Sequence, residues 1–177
     1  MKCSHGCRWQ FKIKNKEEYI SNKRLVDMTR RQMEGWLEQE YWCWQGFEMQ
    51  YKGIIPKILI EQYMPESYSI QIFCFKGIPK VQTFVLDKDR AVMRIRNDDN
   101  TYSYLSEEYI DQIPPDNFIN KAEELSKKLS KEFNFVRVDW IVFEEKLYFE
   151  ELTFTPFSGF SDFGKEWNEK LGGLIEI

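Results

Sequence analysis

The chain has 177 residues, of which 42% are hydrophobic, 16% aromatic and 31% charged, enough for one domain that buries roughly 70% of its unfolded surface. A net charge of −4 and an isoelectric point near 5.3 exclude a global basic field for holding nucleic acid, so no nucleic-acid partner is expected. No apolar run is long enough to span a bilayer, and Met1-Lys2-Cys3-Ser4-His5-Gly6 is not followed by the apolar core of a signal peptide; the expectation is a soluble, cytoplasmic protein with no membrane insertion.

Four cysteines, at positions 3, 7, 43 and 74, lack paired CxxC spacing and are expected to be reduced thiols. Cys3, His5 and Cys7 alternate and would present soft ligands on one strand face, but no fourth ligand lies nearby. His5 is the single histidine, so a Ser-His or Cys-His nucleophile would have to use it; a loop histidine is the simpler reading. Beyond Gly6, Trp9, Phe11 and Ile13 alternate with polar residues and predict a half-buried strand. A lysine at a strand end, a glycine turn and a second strand can cover phosphates with backbone N–H groups and a point charge.

From Glu17 to about Gln39 the pattern predicts a helix, with Asn15 or Asn22 as its cap and Tyr19, Leu25, Met28, Met33, Trp36 and Leu37 as an irregular apolar stripe. Tyr41 to Tyr51 is an aromatic connector, expected to pack rather than to form a ligand platform. Lys57 to Tyr63 predicts a short buried strand that leaves its sheet before Pro65. Ser69 to Phe75 and Val81 to Leu86 predict a hairpin turned by Gly77-Ile78-Pro79. Asp87 to Asn100 reads as a charged surface segment, with anion binding as the functional option. Pro114-Pro115-Asp116-Asn117 starts a helix, with Asp116 or Asn117 capping and Phe118, Ala122, Leu125, Leu129 and Phe133 along one face. A last helix is expected over Glu166 to Ile177, weakened by Gly172 and Gly173.

Chemistry concentrates in Phe135 to Phe160, two predicted strands with a charged turn. Arg137 and Asp139 lie two apart inside an apolar run and so share a face. A three-residue turn at Glu144, Glu145 and Lys146 places Asp139 opposite Glu151 and Arg137 opposite Thr153; a two-residue turn places Asp139 opposite Glu150. Either register leaves an acid pair, tolerated if it shares a proton, holds a cation such as Mg²⁺ or Mn²⁺, or lies in solvent on an edge strand.

Five blocks in order are similar to the TupA-like branch of the ATP-grasp superfamily, named for teichuronopeptide biosynthesis. They are Lys2-Cys3-Ser4-His5-Gly6, Ile60-Glu61-Gln62-Tyr63, Phe73-Cys74-Phe75-Lys76-Gly77, Phe135-Val136-Arg137-Val138-Asp139 and Phe149-Glu150-Glu151-Leu152-Thr153-Phe154-Thr155-Pro156. The resemblance implies an α+β ATP-grasp fold of two α+β lobes with mainly antiparallel sheets. Residues 1–62 would form the smaller nucleotide-covering lobe and 63–177 the larger lobe with the metal site. With Lys2 so close to the first residue, the N-terminal part of the fold is expected to be missing.

The resemblance further implies an ATP site between the lobes. Lys2 would sit on the phosphates with His5 and Gly6 beside it among the cofactor-binding residues, and Glu61, Gln62 and Tyr63 at the adenine-side hinge. Asp139 and Glu151 would hold Mg²⁺ or Mn²⁺, Thr153 would stand where many relatives place an asparagine ligand, and Arg137 would be catalytic, facing the reacting phosphate and carboxylate. The even spacing from Asp139 to Glu151 matches the family's pairing and leaves Glu150 as the outward acid. Departures are Cys7-Arg8 in place of Ser-Gly, and Ser69 and Gln71 in place of Asp and Lys.

The implied activity is an ATP- and Mg²⁺-dependent carboxylate–amine ligase working through an acyl phosphate in cell-wall or exopolysaccharide assembly. Its substrates would be a small-molecule or saccharide-linked carboxylate and an amine. The alternatives are a nucleotide-binding module, non-catalytic or truncated, that needs a partner chain or homo-oligomer to complete its lobe, and an interaction domain using the aromatic connector.

Overall fold

The computed structural model describes residues 1–42 and 48–175. Part of the aromatic connector and the end of the expected C-terminal helix lie outside them. The chain divides into two compact units, Met1–Met64 and Pro65–Ile177.

In the first unit, β1 (Lys2–Cys3) pairs antiparallel with β2 (Ile58–Leu59). The strand expected through Trp9, Phe11 and Ile13 is reduced to a bridge between Lys2 and Gln10. Burial still alternates as the sequence pattern requires, but ring packing replaces a ladder: Trp36 stacks on Trp9 at 5.9 Å and on Phe11 at 5.2 Å. The single expected helix is two, α1 (Lys16–Ser21) and α2 (Lys23–Leu37), because both asparagines cap. The Asn15 side chain accepts from the N–H groups of Glu17 and Glu18, and that of Asn22 from Leu25. The Lys57 to Tyr63 stretch is not buried: Ile58 and Leu59 are each 39% exposed and Ile60 79%. β2 belongs to a two-stranded sheet, so among the described residues nothing pairs with its outer edge.

In the second unit an antiparallel sheet has the order β6-β5-β4-β3-β7-β8. The strands are β3 (Tyr68–Phe75), β4 (Ile78–Val85), β5 (Ala91–Arg96), β6 (Tyr102–Tyr104), β7 (Phe135–Phe143) and β8 (Lys146–Thr153). Helix α3 (Asp116–Leu129) links β6 to β7 and packs on the face made by Ile70, Ile72, Cys74, Phe84, Val92, Val136, Val138 and Trp140. The opposite face carries a smaller cluster of Phe73, Phe75, Val81, Ile95 and Leu171, the last from α4 (Lys165–Gly172).

Several expectations are corrected here. The β3–β4 turn is Lys76-Gly77, both at positive φ, and Pro79 lies inside β4, where the register shifts and its missing N–H is tolerated. Asp87 to Asn100 contains strand β5. Its aspartates build the flanking turns, Asp87 accepting from the N–H groups of Asp89 and Arg90 and Asp99 from Thr101. Its arginines lie along aromatic rings, with the Arg94 Cζ 4.0 Å from the Tyr102 centroid. Helix α3 starts after Pro115, whose fixed φ replaces the side-chain cap expected from Asp116 or Asn117. The last helix begins at Lys165 and ends at Gly172.

Two backbone positions give a stability test. Gly77 has φ +79°, and a Cβ there would lie 3.3 Å from the Lys131 Cα; Gly77→Ala should lower stability by about 1 kcal/mol or more. The β7–β8 turn places two glutamates, Glu144 and Glu145, at φ 48° and 58°. Replacing them with Asn-Gly should raise stability by about 1 kcal/mol, seen as a higher urea midpoint with an unchanged slope.

Candidate functional site

Alternation along β7 sends Val136, Val138 and Trp140 under α3 and leaves Arg137 and Asp139 on the other face. Register then assembles the site. Arg137 pairs with Thr153 and Asp139 with Glu151, as the three-residue turn predicted, but by a different device. The turn has only two residues, since Phe143 pairs with Lys146, and a shift between Asp139 and Trp140 makes Glu150 the extra residue of a bulge. Without that bulge Glu150 would face Asp139.

Arg137 and Asp139 form a two-pronged ion pair, Nε to Oδ1 at 2.7 Å and Nη2 to Oδ2 at 2.6 Å. Their side chains are only 9% and 3% exposed, whereas Glu151 is 48% exposed. Arg137 Nη2 also donates to Thr153 Oγ1 at 3.2 Å, and that hydroxyl donates to Glu151 Oε1 at 3.1 Å. Phe73 and Phe157 flank the guanidinium, with ring centroids 5.8 and 5.7 Å from its Cζ. Burial pushes the Asp139 carboxyl above its usual range and Glu151 adds to that, while the Arg137 bonds and Thr153 pull against it. A carboxyl so placed gains from any further positive charge nearby.

These groups fit a hard divalent cation. The donors are two carboxylates and a hydroxyl, all oxygen, and one guanidinium leaves the cluster a net negative charge. Among the described residues no group of three or more His, Cys, Asp or Glu side chains is placed to hold a metal ion; Mg²⁺ takes one or two carboxylates and completes its shell with water and phosphate oxygens. The register extends the row across the sheet, because Gln71 lies opposite Asp139 and Thr83 opposite Gln71. Thr83 is 4% exposed, and its Oγ1 has no hydrogen-bond partner among the described residues. Nothing in the sequence singled out Thr83, since only sheet order brings it to this row.

The loop after β8 is strained. Phe157 (φ 52°, ψ 35°) and Ser158 (φ 56°, ψ 24°) are left-handed, and Gly159 follows at φ 79°. The two non-glycine residues cost about 1–2 kcal/mol each.

The first-unit candidates are placed as follows. Lys2 Nζ pairs with Glu61 Oε2 at 3.0 Å, both partly in solvent. Gln62 is exposed and Tyr63 half-buried. His5 is 3% exposed; its Nε2 lies 2.9 Å from the Trp36 carbonyl oxygen, a contact that needs an N–H at Nε2. A Cβ on Gly6 would lie 2.6 Å from the Trp9 indole, so packing against Trp9 accounts for this glycine. Cys3 is buried and Cys7 exposed, so Cys3, His5 and Cys7 do not share one open face.

Removing either acid separates their roles. Asp139→Ala should destabilise by about 3–5 kcal/mol, because it leaves Arg137 charged and buried. Glu151→Gln, on a half-exposed carboxylate, should change stability by less than about 1 kcal/mol. Urea unfolding without ligand measures both.

The family model described as TupA-like ATPgrasp matches residues 1–176. No curated protein and no solved structure matches the chain. No helix among the described residues is long and apolar enough to cross a membrane.

Proposed function

The chain belongs to the TupA-like ATP-grasp family, and from that premise we propose that it is the core of an ATP- and Mg²⁺-dependent carboxylate–amine ligase. The observation that carries this reading is the Arg137–Asp139–Glu151–Thr153 cluster, set on one sheet face by two successive register pairs. When bound, ATP would supply the γ-phosphoryl group that activates a carboxylate as its acyl phosphate, and Asp139, Glu151 and Thr153 would hold a Mg²⁺ whose chemistry there is to offset phosphate charge.

This chain's own residues do the positioning. Asp139 grips Nε and Nη2 of Arg137, which fixes the guanidinium plane. Nε and Nη2 make its bonds to Asp139 and Thr153, and Nη1 is the group we assign to a phosphate or carboxylate oxygen. A planar donor locked in place stabilises spreading negative charge without reorganising. In the first unit, Lys2, His5, Gly6, Glu61, Gln62 and Tyr63 are the proposed nucleotide-binding residues, with Lys2 supplying charge to phosphate. An amine attacking the acyl carbon would expel phosphate and leave an amide. The family's namesake chemistry supports cytoplasmic work in cell-wall or exopolysaccharide assembly, with a small-molecule or saccharide-linked carboxylate as acceptor.

A second reading, a nucleotide-binding module without turnover that a partner chain or second copy would complete, is favoured by one observation. Gln71, the residue facing Asp139 from β3, brings no charge to the row. ADP release with Mg²⁺ and a panel of carboxylates and amines separates the two. Under the ligase reading, Glu151→Gln and Arg137→Lys lose roughly 10²- to 10³-fold in rate. Equal release from all three proteins would remove the assigned roles. Stabilisation of roughly 2–3 kcal/mol by ATP at about a hundredfold over its Kd, without any release, would favour the module.

A further inference from the structure

The last part of the first unit carries an exposed apolar stretch. From Ile54 to Ile60 the chain reads Ile-Ile-Pro-Lys-Ile-Leu-Ile, with Ile55 71% and Ile60 79% exposed. Strand β2 lies inside it and, among the described residues, pairs only with β1. Edge strands are usually blunted by proline, bulges or charges along their length. Here Pro56 stands before the strand and charges stand only at Lys57 and Glu61, so Ile58, Leu59 and Ile60 between them are left open to pairing.

Hydrogen-bond direction fixes what this edge offers. The Lys57 carbonyl accepts from the Ser4 N–H at 2.9 Å and the Lys57 N–H donates to Ser4 Oγ at 3.0 Å, so Lys57 turns its backbone toward the β1 side. The Cys3 N–H donates instead to the Trp9 carbonyl, away from β2, which makes Cys3 and Ile58 a pair without mutual hydrogen bonds. Alternation then turns Leu59 inward and sends the N–H and C=O groups of Ile58 and Ile60 outward. Side chains divide between the two faces of the strand: Lys57, Leu59 and Glu61 share the face of Lys2, whose Nζ pairs with Glu61 Oε2, while Ile58 and Ile60 share the other.

A second copy of the same edge meets these requirements. Antiparallel pairing sets outward residues against outward residues, which leaves few registers. With Ile58 against Ile58, Ile60 faces Pro56, which has no N–H. With Ile60 against Ile60, Leu59 faces Glu61. With Ile58 against Ile60, the two-fold axis falls at Leu59, isoleucine meets isoleucine, and Lys57 of each copy meets Glu61 of the other. Glu61, with its side chain 56% exposed, has room for a second cation beside Lys2. Parallel pairing would bring like charges together at both ends.

We infer that the outer edge of β2 is a homodimer interface, in which Ile58-Leu59-Ile60 pairs antiparallel with the same residues of a second copy about an axis at Leu59. Lys57 and Glu61 close it at both ends, and the two small sheets become one, in the order β1-β2-β2-β1. The inference concerns assembly and goes beyond both functional readings, standing whether or not the chain turns over ATP.

Sedimentation equilibrium of the whole chain without nucleotide tests it. The wild type should sediment at twice the 21.5 kDa of one chain. Lys57→Glu and Glu61→Lys each set like charges at both ends and should each weaken self-association by at least about tenfold. Mixed in equal amounts, the two variants should associate about as tightly as the wild type, because opposite charges then meet again at both ends, and that recovery also shows both to be folded. Ile60→Pro removes an outward N–H that β1 does not use, and should abolish association with the circular dichroism spectrum unchanged. A monomeric wild type, single variants as dimeric as the wild type, a mixture no tighter than its components, or a dimeric Ile60→Pro protein would overturn the inference.

Discussion

Everything in the second unit's open sheet face depends on one interaction, the buried pair between Arg137 and Asp139. Placing two charges in a strand whose neighbours are Val136, Val138 and Trp140 is costly, because each loses water that a sheet interior cannot replace. The pair is tolerable only because two parallel hydrogen bonds satisfy both groups at once, and because Phe73 and Phe157 cover the guanidinium faces without competing for its donors. Once that pair is fixed, Glu151 and Thr153 have only one side of the cluster to occupy. An apolar pair of the same volume would be as stable or more so.

The same unit holds a second buried polar cluster, and comparing the two shows why one is read as a site. On the α3 face, Gln82 accepts from Arg94 Nε at 2.7 Å and donates to Glu123 at 2.8 Å, and Arg96 pairs with Glu123 and the Tyr102 hydroxyl. That network lies between helix and sheet, and its carboxylate, Glu123, is 11% exposed against 48% for Glu151. It rigidifies the packing of α3. The Arg137 cluster instead opens to solvent through the half-exposed Glu151.

What could be read in advance follows from how locally each feature is encoded. The alternation that puts Arg137 and Asp139 on one face is a property of two adjacent pleats, so it was visible. So was the Asp139–Glu151 pairing, but the turn assumed for it was wrong, since a two-residue turn and a bulge at Glu150 shift the register by the same amount as a three-residue turn. Strand β5 was hidden because Arg94 and Arg96 look solvated until Phe84, Tyr102 and Glu123 come from other elements to receive them. The break at Asn22 was hidden by two equivalent capping signals. Thr83 was beyond reach, as it joins the row only when distant segments are laid side by side. The family match over residues 1–176 agrees with the ordered blocks that carried the resemblance, and the mixed α and β composition with antiparallel sheets is consistent with it.

The central claim is that the acids on this face hold a divalent ion, and Mn²⁺ binding read by electron paramagnetic resonance with a non-hydrolysable ATP analogue tests it most directly. The account predicts one tight Mn²⁺ in the wild-type protein. In Glu151→Gln that affinity should fall by at least about tenfold, with the fold retained because this carboxylate is half exposed. Undiminished Mn²⁺ affinity in a folded Glu151→Gln protein would contradict it.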